Sequence, residues 1–122
     1  MDSRRALIVE SERGLARLLE VLMQREGFAT DLAHDGQEGL TKARTGSPQV
    51  ILLDSILPKL AGHRVLGELR SDPSTASIPV VVVAAEEHPA SGEPGSVERV
   101  TKPFTPQTLV TAVKRAVAAA AL

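Results

Sequence analysis

Asp54 closes the apolar run Val50-Ile51-Leu52-Leu53. A stretch of that length and branching is expected of a fully buried parallel strand. A carboxylate where such a strand emerges is costly unless it has a partner or a task. Two other strand-like runs also end in charge. Glu10-Ser11-Glu12 follows Ala6-Leu7-Ile8-Val9, and Lys102-Pro103-Phe104 follows Val97–Thr101. A carboxylate, further acids and a lysine, each at a strand end, are what a phosphate-accepting site at the edge of an open α/β sheet requires. Plainer readings compete with this one. Asp54 could be a helix cap or turn residue, Glu10 a solvated strand-end acid and Ser11 the N-cap of the first helix.

The elements that must position these groups alternate in periodicity. Arg5–Val9 is a short strand. Leu15, Leu18, Leu19, Leu22 and Met23 then recur at helical spacing, stopped by Gly27. Phe28–Ala33 is a second strand. Asp35-Gly36-Gln37-Glu38 has the form of a capping box and opens a helix through Arg44, broken by Gly46-Ser47-Pro48. After the central strand comes the turn Leu57-Pro58-Lys59-Leu60. A helix over Gly62–Arg70 follows, with Val65, Leu66 and Leu69 inward, and then the polar loop Ser71–Ser77. Val80–Val83 is a β-branched buried strand. Thr105-Pro106 is an N-cap with proline at the first helical position. The last helix carries Leu109, Val113, Ala116, Val117 and Ala120 on one face. His88–Gly95 occupies the place of a fourth helix, but its two prolines and two glycines argue for a loop, that helix being shortened or lost.

Five strands alternating with helices predict a flavodoxin-like, doubly wound α/β fold with a parallel sheet of order 2-1-3-4-5. Ligands in such sheets sit at the carboxyl ends, near the switch between strands 1 and 3. Those strands end at Glu10 and Asp54. The topology and the chemistry therefore point to the same edge.

Bulk properties narrow the function. At 122 residues, 1–122 reads as a single domain. Its core is aliphatic, since Phe28 and Phe104 are the only aromatic residues. A net charge of −1 and the lack of stacking aromatics predict no direct contact with nucleic acid. The absence of cysteine excludes disulfides and thiolate chemistry and fits a cytoplasmic location. No apolar run approaches membrane-spanning length, so no membrane association is expected. His34, His63 and His88 show no metal-ligand spacing and read as surface residues. No dinucleotide fingerprint, Walker loop or nucleophile–base pair marks an enzyme, so none is expected.

Taken together, several segments resemble the receiver domain of bacterial response regulators, from about Arg5 to Val117. They are Ala6–Glu12, Asp35–Glu38, Val50–Pro58, Leu69–Pro73, Ile78–Val83 and Lys102-Pro103-Phe104, in order and at family spacing. The resemblance implies that Asp54 is the phosphoacceptor in a two-component phosphorelay and that Lys102 pairs with the phosphoryl oxygens. It implies a Lys102–Pro103 bond that is often cis. It also implies magnesium held by Glu10, Asp54 and the Ile56 backbone carbonyl, with Glu12 as an alternative donor. The implied partners are a histidine kinase or phosphotransfer protein and a downstream protein target. The face of strand 4, strand 5 and the last helix would suit a homodimer.

The chain also departs from the family pattern. Ser11 stands where a second acid is usual, which implies weak or absent magnesium binding. Ala84 replaces the hydroxyl residue at the end of strand 4, Arg99 the aromatic residue of strand 5, and Ala61 an acid in the loop after the acceptor. Two functions are therefore expected to compete. One is a phosphoreceiver with an impaired metal site and switch; the other is a phosphorylation-independent pseudo-receiver acting as a docking module.

Overall fold

A computed structural model describes residues 4–85 and 98–121. Its elements are β1 (Arg4–Val9), α1 (Arg13–Arg25), β2 (Phe28–Ala33), α2 (Gly36–Gly46), β3 (Val50–Asp54), α3 (Gly62–Ser71), β4 (Val80–Ala84), β5 (Glu98–Thr101) and α4 (Pro106–Ala120). The expected loop at His88–Gly95 lies outside the described residues. The five strands form one parallel sheet of order β2-β1-β3-β4-β5, the order expected from the sequence.

Strand alternation divides the core in two. Ala6, Ile8, Val50, Leu52, Val81 and Val83 face α1 and α4. Leu7, Val9, Ile51, Leu53, Val80 and Val82 face α2 and α3. A strand buried on both faces must be apolar at every position, which is why β3 and β4 read as unbroken aliphatic runs. The helices stop where backbone conformation demands it. Gly27 has φ 90°, and Ser47 closes α2 with φ 47°.

Several local expectations need correction. The apolar repeat of α1 is not all buried, since Leu18 is 43% exposed. On α4, Ala112 is buried and Ala120 exposed, so the inward face is Leu109, Ala112, Val113 and Ala116. Helix α2 runs on to Gly46, and its capping box is closed differently. Asp35 accepts from the Glu38 amide at 2.8 Å, but Glu38 Oε1 accepts from the His34 amide, one residue ahead of the cap.

Candidate functional site

The β1 and β3 ends are neighbours because β1 pairs directly with β3, Val9 opposite Leu53. Asp54 is 4% exposed and Glu10 only 1%. Glu10 is therefore a buried acid, not a solvated strand-end residue. Lys102 arrives from the far side. Its amide donates to the Ala84 carbonyl at 2.8 Å, continuing the β4–β5 ladder, and the Lys102–Pro103 bond is cis. Its Nζ donates to Asp54 Oδ2 at 2.9 Å. The Ile56 amide donates to Asp54 Oδ1 at 2.9 Å. Each oxygen of the Asp54 carboxylate thus has a donor.

Glu10 is held differently. Its Oε2 accepts from the Glu12 amide at 3.0 Å, whereas Oε1 is buried without a partner. Burial raises the Glu10 pKa from 4.5 to about 8, and the neighbouring Asp54 carboxylate pushes in the same direction. Asp54 moves the opposite way. Burial would raise its pKa, but the neighbouring Glu10 carboxyl, the Ile56 amide and Lys102 outweigh that and lower it. Near neutral pH the pair therefore favours one proton and one negative charge between them, with Glu10 the more readily protonated member.

An orphaned carboxylate oxygen beside an ionised carboxylate is a donor set that fits a hard divalent cation. Glu10 and Asp54 are the side chains available to hold it. Glu12 is not, contrary to the expectation that it might supply a further donor. Both its oxygens are taken by the first turn of α1, accepting from the Gly14 and Leu15 amides at 2.9 Å each. This also corrects the reading of Ser11 as the N-cap. The helix begins one residue later, Glu12 has the extended φ −87°, ψ 117° of a cap, and Ser11 is exposed. Among the described residues, no three acidic or histidine side chains cluster as a metal centre. His34 and His63 are exposed, as expected; His88 lies outside the described residues.

Three residues near the site were not singled out from sequence. Ser55 is 9% exposed, with a buried hydroxyl that has no hydrogen-bond partner. Gly36 abuts the turn after the acceptor: a Cβ there would lie 2.2 Å from the Leu60 carbonyl oxygen. Gly62 abuts the acceptor itself, with a Cβ position 2.6 Å from the Asp54 carbonyl oxygen. The signal in sequence was thin, a glycine at the start of each of two helices and a hydroxyl residue ending an aliphatic run. Ala84 is buried at the end of β4, and Arg99 is half-buried on β5.

A parallel 2-1-3-4-5 sheet with a buried acid pair and a lysine at its carboxyl edge defines a doubly wound α/β domain whose polar groups gather where such sheets bind ligands. The chain belongs to the response regulator receiver domain family, which it matches over residues 6–114. It is 35% identical over 120 residues to the uncharacterised transcriptional regulatory protein YkoG of Bacillus subtilis, covering 95% of this chain and 52% of that protein. The chain spans about half the length of the curated relatives it matches. A proposed response regulator from Chloroflexus aurantiacus superposes with a TM-score of 0.89 at 27% identity, covering 96% of this chain and 99% of that one. The receiver domain of the sensor histidine kinase PA1611 from Pseudomonas aeruginosa superposes with a TM-score of 0.86 at 21% identity, covering 96% and 99%. That structure has a magnesium ion coordinated in its active site cleft. Among the described residues of the present chain, no helix is long and apolar enough to cross a membrane.

Proposed function

We propose that this receiver domain accepts a phosphoryl group on Asp54 from a phosphohistidine of a histidine kinase or phosphotransfer protein. An Asp54 oxygen attacks phosphorus, the donor N–P bond breaks as the O–P bond forms, and the departing nitrogen takes a proton from solvent. The observation that carries this reading is the 2.9 Å approach of Lys102 Nζ to Asp54 Oδ2 where the buried apolar strand β3 ends. Phosphoryl transfer needs little beyond positioning and charge neutralisation. Lys102 supplies a fixed positive charge, and the Ile56 amide supplies an oriented donor. Bound magnesium would add further neutralisation, held by Glu10, Asp54 and the Ile56 carbonyl. With Ser11 in place of an acid and Glu12 committed to its cap, that binding is weak. Ile56 is 54% exposed beside the acceptor and offers an apolar contact to the donor protein.

The test is incubation with a small-molecule phosphodonor and magnesium, read by intact mass. One phosphoryl group should appear on the wild type and none on Asp54→Asn. An unmodified wild type would favour the second reading, a pseudo-receiver that docks partners without phosphorylation. The specific observation on that side is Ala84. It is buried at the end of β4 and has no side-chain donor to offer a phosphoryl group. In either reading, output passes through a downstream protein target, with self-association through β4, β5 and α4 as one route. The transcriptional role in the name of YkoG belongs to that longer protein.

A further inference from the structure

Ser55 follows the acceptor, and its hydroxyl is buried without a hydrogen-bond partner. A hydroxyl withdrawn from water and left unpaired is costly, and buried polar groups are seldom left in that state without a reason. Its backbone is firmly placed. Asp54 pairs with Val83, and the Ser55 amide donates to the Val83 carbonyl at 3.1 Å, so Ser55 lies alongside the end of β4 at Ala84. Ala84 is wholly buried, and its carbonyl holds the Lys102 amide. The lysine that pairs with Asp54 is therefore anchored at the same corner. Gly62 roofs this corner: a Cβ on it would lie 2.8 Å from Ser55 Cα.

We propose that the Ser55 hydroxyl donates a hydrogen bond to a phosphoryl oxygen carried by Asp54, serving as the neutral donor that β4 lacks at Ala84. This rests on the reading of Asp54 as phosphoacceptor. A phosphoryl group brings three strong acceptor oxygens. Lys102 and the Ile56 amide account for two donors at the Asp54 carboxylate. Ser55 is a third, one rotatable bond from its backbone and without an acceptor in the unmodified protein.

The experiment is a beryllofluoride titration at fixed magnesium concentration, followed by fluorine NMR and paired with thermal denaturation. The proteins are wild type, Ser55→Ala, Ser55→Thr and the double variant Ser55→Ala/Ala84→Thr. Ser55→Ala should weaken beryllofluoride binding about tenfold, the loss of one hydrogen bond to a charged group. It should remain at least as thermally stable as wild type, because it removes an unpaired hydroxyl. Ser55→Thr should bind like wild type, and the double variant should recover binding by returning a hydroxyl from the neighbouring strand. Failure of the wild type to bind beryllofluoride overturns the phosphoacceptor reading itself. Normal wild-type binding with an unchanged Ser55→Ala overturns the Ser55 assignment alone. So does weakened binding that neither threonine restores.

Discussion

Lys102 Nζ and Asp54 Oδ2 stand 2.9 Å apart although 48 residues separate them in the chain. Two strands cross that distance. Asp54 is the last residue of β3, and Lys102 is fixed one step beyond β5 by the hydrogen bond its amide donates to the Ala84 carbonyl of β4. The pair measures whether the whole β3-β4-β5 half of the sheet is in register. Replacing Lys102 with methionine should keep the fold and slow phosphorylation of Asp54 by a small phosphodonor. The loss of one charge-assisted hydrogen bond, about 1.5–3 kcal/mol, corresponds to one to two decades in rate. Stopped-flow or quench kinetics would check this, and an unchanged rate would remove Lys102 from the chemistry.

The acid pair gives the metal-free protein a pH signature. Folded Glu10 has a pKa of about 8, against 4.5 in its ordinary state. Between those values the folded chain holds a proton that the unfolded chain has released. Stability from this group is therefore full below pH 4.5 and declines as pH rises through about 8. Asp54 acts in the opposite sense, since its lowered pKa contributes stability that is lost only as pH falls below 3.8. Urea midpoints measured across the neutral range should fall with pH for the wild type. Glu10→Gln should flatten that slope. Identical slopes in the two proteins would show that Glu10 is ionised throughout.

Glu12 and Ser11 make separable predictions. Glu12→Ala should destabilise the protein by about 1 kcal/mol through loss of the α1 cap, with little change in magnesium affinity. Ser11→Asp should tighten magnesium binding by adding a carboxylate next to Glu10. Isothermal titration and thermal melts on the same preparations separate the two effects. A large drop in magnesium affinity for Glu12→Ala would return that residue to the metal site.

The two helix-start glycines should be intolerant of even a methyl group. Gly36→Ala must displace the Leu60 carbonyl, 2.2 Å from the new carbon, and Gly62→Ala must displace the Asp54 carbonyl at 2.6 Å. Overpacking of this kind costs roughly 1–3 kcal/mol. Because both contacts bear on residues 54–60, beryllofluoride affinity should fall along with stability. Gly67→Ala, where the glycine has open space around it, is the matched control and should be neutral or stabilising.

Switching should be muted. Beryllofluoride at Asp54 should shift the amides of β5 and α4 only slightly, because Ala84 offers no hydroxyl that changes contacts between the two states and Arg99 is not an aromatic rotamer that packs inward. Large cooperative shifts at Arg99 and along Leu109–Val117, absent in Asp54→Asn, would restore a full switch.

Much of this was legible in the residues. The parallel α/β layout follows from alternating periodicity, its order from the flavodoxin-like topology, and the convergence of Glu10, Asp54 and Lys102 from where strands end. What sequence hid lay in side-chain reach. Periodicity listed Leu18 with the α1 repeat but could not tell the centre of a helical stripe from its exposed margin. Serine is the commoner N-cap, so Ser11 drew that role until Glu12 was seen folded back on its own helix. The packing of Gly36 and Gly62 against the acceptor loop depends on how α2 and α3 tilt, and local pattern does not encode tilt. The unpaired Ser55 hydroxyl is likewise visible only once the chain is folded.

Glu12 joins two structures that are usually separate. Its amide holds Glu10 Oε2, and its carboxylate caps α1 through the Gly14 and Leu15 amides. A turn of the Glu10 carboxyl therefore pulls on the knot that keeps the end of that helix from fraying. Solvent deuterium would record the strain as a clock, with the Gly14 and Leu15 amides exchanging at one pace when Glu10 carries its proton and at another when it does not. The helix end becomes a gauge of the buried acid, readable from outside without touching the acceptor.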